Sequence, residues 1–177
     1  RCRRWLGSGY LSLSLTTITI EAAEGKDNSG IKMIAQLTGT ILTKAAPLLI
    51  IDVNGIGYEV FAPMNTFYHL PEEGKKVTLL THFIVREDAQ ILYGFYERRE
   101  RDLFRTLIKV NGVGPKLALA ILSGMDVNSF IQCVQQNNSA SLVSIPGVGK
   151  KTAERLVVEM RDKLQQWSVS DVASITE

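Results

Sequence analysis

Leu107-Ile108-Lys109-Val110-Asn111-Gly112-Val113-Gly114-Pro115-Lys116-Leu117-Ala118 returns 35 residues later as Leu142-Val143-Ser144-Ile145-Pro146-Gly147-Val148-Gly149-Lys150-Lys151-Thr152-Ala153. Each copy reads as a helix, a Gly-Val-Gly turn and a second helix, the pattern of a helix–hairpin–helix motif. The residue types have a direct physical reason. Two glycines let the chain turn sharply and bring bare backbone close to a ligand. The turn then opens a helix whose first N–H groups are unpaired and whose dipole is positive there. That combination suits a phosphate oxygen. Val113 and Val148 are expected to tuck inward and fix the turn. Asn111, Gly112, Gly114, Gly147 and Gly149 supply its outer surface. Lys116 in the first copy, and Lys150, Lys151 and Arg155 in the second, add positive charge. Such contacts grip the sugar–phosphate backbone without reading bases. Gly-Val-Gly turns can also simply join packed helices. It is the duplication, each copy carrying Lys just past its glycines, that favours DNA.

Outward from this repeat, residues 97–167 keep a helical period. Leu103, Leu107 and Val110 share a stripe with Phe104 and Ile108. Ala153, Leu156, Val157, Met160 and Leu164 form the apolar face of a long helix. Asp126 is placed to cap a helix over Val127 to Gln136. Upstream, residues 33–96 are patterned for strands. One run starts at Ile34, Leu37 and Thr40-Ile41-Leu42 and stops at Ala45-Ala46-Pro47. Leu48 to Val53 follows, then Asn54-Gly55, a dipeptide suited to the positive φ angles of a tight hairpin. Gly57 to Ala62 resumes the pairing. Val77 to Val85 and Ala89 to Phe95 flank Arg86-Glu87-Asp88. A five-stranded sheet this small hides its edges best by closing. The fold class expected is α+β: an N-terminal five-stranded OB-like β-barrel, then an all-α domain with two helix–hairpin–helix motifs.

The 177 residues, 19.6 kDa, are 45% hydrophobic and 21% charged, which argues against wholesale disorder. No apolar run reaches membrane-spanning length. Two cysteines, Cys2 and Cys133, exclude a disulfide scaffold and a Cys-rich zinc site, and point to a reducing, cytoplasmic setting. Net charge is +2, but residues 1–32 hold five bases and three acids, so residues 33–177 carry 15 of each sign. The body is no polycation, and any nucleic-acid binding rests on local patches. Residues 1–32 read as an extension, disordered or upstream sequence read through a mis-set start; a signal-like reading of Arg1 to Leu15 fails on its interrupting Ser and Thr. Residues 168–177 read as the start of a flexible linker.

Some features lead elsewhere. Gly147-Val148-Gly149-Lys150-Lys151-Thr152 resembles a P-loop, but position 144 is Ser where that motif needs Gly, and Lys151 stands where it needs Ser or Thr. His69 and His82 lack nucleophile or metal-ligand spacing, and Cys133 reads as packing in a helix face. No catalytic residue, metal or cofactor is expected. A nuclease would need other acids gathered on Glu87 and Asp88 to hold Mg²⁺. A general duplex- or RNA-binding scaffold built on the barrel is the third reading. By itself, Arg86-Glu87-Asp88 is a solvated hairpin tip. Beside DNA, its carboxylates would repel phosphates.

Residues 33–167 resemble the RuvA family, the Holliday-junction-binding subunits of the bacterial branch-migration machine. The resemblance rests on Asp52 to Glu59, Thr81 to Gly94, Leu107 to Met125 and Ile145 to Arg161. It implies a homotetramer, or two tetramers around one junction, holding a square-planar four-way junction with one arm per subunit. It makes Glu87 and Asp88 a central acidic pin that disfavours linear duplex. It also implies the motor RuvB as the ATPase partner, the resolvase RuvC as a partner on the same junction, and roles in recombination, DNA repair and the SOS response to DNA damage. Met33-Ile34-Ala35-Gln36-Leu37 departs from the family's usual Met-Ile-Gly-Arg-Leu start. The family's C-terminal three-helix, motor-contacting domain is absent from the sequence, so coupling to the motor is expected to be impaired.

Overall fold

The computed structural model describes residues 34–170, with side chains to Leu164. The expectations for residues 1–32 and for 171–177 lie outside the described residues. Five strands close into a barrel: β1 (Gln36–Ala45), β2 (Leu48–Val53), β3 (Ile56–Phe61), β4 (Lys76–Val85) and β5 (Gln90–Phe95), in the order β1-β2-β3-β5-β4. The Asn54-Gly55 corner joins β2 to β3 with φ of 53° and 89°, as the dipeptide requires. A bulge between Ile41 and Thr43 bends β1, so that it pairs with β4 at one end and β2 at the other. The closing seam is a short parallel pairing, Val60 with Leu92 and Phe61 with Tyr93. Despite the changed start, Ala35 and Ile34 still anchor the strand: Thr81 donates its N–H to the Ala35 carbonyl and its hydroxyl to that of Ile34.

Leu37, Ile41, Leu49, Ile51, Val60, Val77, Leu79 and Leu92 fill the barrel. Strand β5 is buried on both faces. Leu92 points into the barrel, whereas Tyr93 and Phe95 join the core of the helical region. That region comprises α2 (Arg98–Leu107), α3 (Pro115–Gly124), α4 (Val127–Gln135), α5 (Ser139–Val143) and α6 (Lys150–Ser170), preceded inside the barrel segment by α1 (Met64–His69). Phe104 of α2 lies 4.9 Å from the Tyr93 ring and 5.0 Å from that of Phe95, tilted against both. Asp126 caps α4 by accepting from the Asn128 and Ser129 N–H groups, each at 2.9 Å. The α6 face of Ala153, Leu156, Val157, Met160 and Leu164 is buried as its spacing requires. Cys133 is buried on α4 and donates to the Asn138 carbonyl.

Three differences from the sequence reading have physical causes. Val110 is buried in the stripe position but is not helical: α2 stops at Leu107, and the Val110 N–H bonds the Leu107 carbonyl in the turn. Helix α1 stands in a segment read only for strands, held by tertiary contacts rather than by its own pattern. The Met64 N–H donates to Ser123 Oγ, Asn65 Nδ2 donates to the Met125 carbonyl, and Thr66 Oγ1 donates to Glu100 Oε2. Finally, α6 continues to Ser170, three residues into the stretch read as linker.

Candidate nucleic-acid interface

The duplication in sequence is a duplication in hydrogen bonding. In the first hairpin the Val110 N–H meets the Leu107 carbonyl, the Val113 N–H meets that of Val110, and the Ala118 N–H meets that of Gly114, all at 3.0 Å. In the second, Ile145 meets Leu142 at 3.1 Å, Val148 meets Ile145 at 3.0 Å and Ala153 meets Gly149 at 2.9 Å. Gly112 and Gly147 hold φ of +85° and +88°, a region that costs any residue with a Cβ. Val113 and Val148 are 4% and 5% exposed, so their side chains belong to the core and fix the turns from inside.

Around them, Asn111, Gly112, Gly114 and Lys116, and Gly147, Gly149, Lys150, Lys151 and Arg155, are exposed. A Cβ placed on Gly114 or Gly149 would meet nothing within 4 Å. Bare backbone therefore faces open space at the entrance to α3 and α6. No side chain caps α3: Gly114 is its N-cap, and Pro115 follows at the first position, where a missing N–H costs nothing. Each turn touches the helix that follows the other. Arg155 of α6 donates to the Asn111 carbonyl at 3.2 Å, and Leu117 of α3 comes to 3.4 Å from where a Gly147 Cβ would stand. The two turns thus sit side by side on one exposed surface. Arg155, read from sequence as a phosphate partner, also ties the hairpins together.

Electrostatics agree with this arrangement. The ion pairs among the described residues all converge on Asp102, from Arg98, Arg101 and Arg105. Lys116, Lys150, Lys151 and Arg155 are in none of them. Exposed Lys109, just ahead of the first turn, is a further cation there that the motif reading passed over. Glu87 and Asp88 stand exposed at the tip between β4 and β5, where the Arg86 N–H closes the turn on the Ala89 carbonyl at 2.8 Å. Among the described residues no three His, Cys, Asp or Glu side chains gather as a metal site would need. Among the described residues one carboxyl is buried, that of Glu100, held by Thr66; burial raises its pKa, against the lowering effect of the Thr66 hydrogen bond.

Comparison with known proteins decides the family. Residues 33–94 match the model of the RuvA N terminal domain, and residues 104–162 match that of a SAM-like helix-hairpin-helix tandem. Over 140 residues the chain is 58% identical to the Holliday junction branch migration complex subunit RuvA of Tolumonas auensis, covering 79% of this chain and 68% of that protein. The chain belongs to the RuvA family. Other RuvA proteins agree: that of Pseudomonas aeruginosa is 60% identical and that of Stutzerimonas stutzeri 61%, each over 135 residues, 76% of this chain and 67% of the relative. The two family models divide where the structure does, one on the barrel and one on the paired hairpins. The open glycines and the acidic tip thus lie within RuvA-like sequence.

Proposed function

We propose that this chain binds four-way junction DNA without regard to sequence, as the non-catalytic DNA-holding member of a branch-migration assembly. The observation that carries the reading is the pair of matched hairpins, whose open glycine corners, with lysines in no ion pair among the described residues, share one exposed surface. Two such corners engage two phosphate groups of one duplex arm through main-chain N–H groups, with Lys116, Lys150, Lys151 and Arg155 adding charge. A homotetramer places four such surfaces around a junction, one arm to each, and brings the Glu87-Asp88 tips to the centre. There the carboxylates repel the phosphates of a continuous duplex while tolerating an open, planar crossover. ATP hydrolysis belongs to the RuvB partner, and RuvC acts on the same junction. The names of the relatives support the junction and the branch-migration assembly.

The test is a gel shift in EDTA. It compares a synthetic four-way junction with a linear duplex of the same arm sequence, and light scattering gives the mass of the protein. The expected result is a clear preference for the junction by a tetramer, without cleavage. Equal affinity for duplex and junction would refute the reading and favour a general duplex binder. Nicking on addition of Mg²⁺ would favour a nuclease.

A further inference from the structure

Asn-Gly occurs twice in the chain, at Asn54-Gly55 and at Asn111-Gly112, and the two sites meet opposite local charge. The pair has a chemistry of its own. Glycine carries no Cβ to screen its nitrogen, so that nitrogen can attack the neighbouring asparagine amide once it has lost its proton. At the β2–β3 corner the proton is held. The Gly55 N–H donates to Asp52 Oδ1 at 2.9 Å, and the carboxylate opposes negative charge on that nitrogen. At the first glycine corner no described residue accepts from the Gly112 N–H. Arg155 instead donates to the oxygen of the same peptide group, the Asn111 carbonyl, at 3.2 Å. The same guanidinium nitrogen stands 3.8 Å from where a Gly112 Cβ would project. A cation there stabilises the peptide anion, whose charge is shared between nitrogen and oxygen. Exposed Lys109 flanks the corner. Asn111 is itself exposed, and its side-chain amide makes no hydrogen bond among the described residues, so it is free to turn toward the Gly112 nitrogen.

We propose that Asn111 is a site of spontaneous deamidation, and that the carboxylate it gains closes the first corner to phosphate. The Gly112 nitrogen, its proton taken by hydroxide or another solvent base, bonds to Asn111 Cγ. The Cγ–Nδ2 bond breaks, and the amide nitrogen leaves as ammonia after taking a proton from water. Water then opens the resulting succinimide at either carbonyl, giving aspartate or isoaspartate at this position. Either product places negative charge beside the bare backbone at the entrance to α3, where the hairpins otherwise carry lysine and arginine. Isoaspartate also lengthens the main chain inside a turn whose Gly112 holds φ of +85°. The chemical step stands on the geometry of the corner, and its effect on DNA rests on the proposed function. A bound phosphate would cover the same backbone, so chains on DNA keep this asparagine longer than free chains.

The experiment incubates the full chain at mildly alkaline pH and follows both sites by peptide mass spectrometry, with isoaspartate resolved by chromatography. Asn111 should convert several-fold faster than Asn54 in the folded chain, whereas in urea the two rates should converge. Arg155→Gln should slow Asn111 several-fold and leave Asn54 unchanged, with circular dichroism checking that the variant is folded. The inference is overturned if Asn54 converts as fast as Asn111 in the folded chain, or if folded Arg155→Gln converts at the wild-type rate. Converted protein isolated by ion exchange, and Asn111→Asp as its stable mimic, should bind a four-way junction about fivefold more weakly than wild type. Wild-type affinity in both overturns the effect on DNA, and so does an Asn111 rate that bound junction leaves unchanged. Wild type that shows no preference for the junction defeats the proposed function by itself, and the rates measured without DNA still decide the chemistry.

Discussion

The two kinds of glycine in each hairpin should respond in opposite ways to the same change. Gly112 and Gly147 sit at φ of +85° and +88°, so alanine there forces an L residue into the left-handed region, at a cost of about 1–2 kcal/mol per site. Gly114 has φ of −83° and ψ of 169°, ordinary extended backbone, and neither it nor Gly149 has any atom within 4 Å of a new Cβ. The double change Gly114→Ala with Gly149→Ala should therefore leave the fold intact or stabilise it by about 0.4–1 kcal/mol per site, through the smaller entropy of the unfolded chain. Binding should nonetheless collapse. The added methyls stand where a phosphate must approach, and a main-chain hydrogen bond to a charged group contributes about 1.5–3 kcal/mol, so each corner should cost tenfold or more. Thermal unfolding by circular dichroism reports the first effect, and anisotropy of a labelled junction at fixed salt reports the second. A double variant that keeps its melting temperature and also keeps wild-type affinity would refute the reasoning, because the corners would then not be where DNA sits.

The remaining tests address charge and capping. Glu87→Gln with Asp88→Asn should raise affinity for linear duplex about five- to thirtyfold, since each removed carboxylate near a phosphate relieves roughly 0.5–1 kcal/mol across water-like dielectric; titration of a plain duplex checks this. Lys150→Ala with Lys151→Ala should weaken binding to every sequence alike and reduce the slope of log K against log salt by about 1.8, read from a salt series. Asp126→Ala should cost about 1 kcal/mol near neutrality by uncapping α4, measured by urea unfolding. The Asp126 pKa is lowered, chiefly by the Ser129 hydroxyl and N–H, so its contribution is present above the ordinary carboxylate range. That contribution fades as pH falls through the lowered value, and the gap between wild type and variant should close in acid.

Much of this was legible in the sequence because the deciding signals are local. Asn54-Gly55 sets a hairpin by its own φ preferences, Asp126 caps by its own side chain, and the glycine corners repeat in register. What escaped depends on contacts between distant segments. Met64 to His69 spans less than two helical turns, too short for a period to show, and it is held by Ser123, Met125 and Glu100. The parallel seam between β3 and β5 joins only two residue pairs, and no pattern announces it. One signal was available and unused. Ile91-Leu92-Tyr93-Gly94-Phe95 is nearly apolar throughout, as expected of a strand covered on both faces rather than one with a wet side. That run marks where the helical region docks.

The double coverage of β5 bears directly on selectivity. A tip that repels phosphates and corners that attract them can discriminate between DNA shapes only if the spacing between them is fixed. Were it loose, the attractive corners would settle on any duplex and swing the acids aside. The tip ends the β4–β5 ribbon, and the first corner follows α2. Between them run Tyr93 and Phe95, each in ring contact with Phe104 and all three buried, with Leu107 completing the path to the turn. Helix α1 adds a second link, because consecutive residues of the barrel segment bond to α3 and α2. Removing a buried Phe such as Phe104 costs about 3–5 kcal/mol, more than the roughly 1–2 kcal/mol of repulsion assigned to the two tip carboxylates. The frame is therefore stiff on the scale of the forces it must hold apart, as the proposed filtering of DNA geometry by two exposed acids requires.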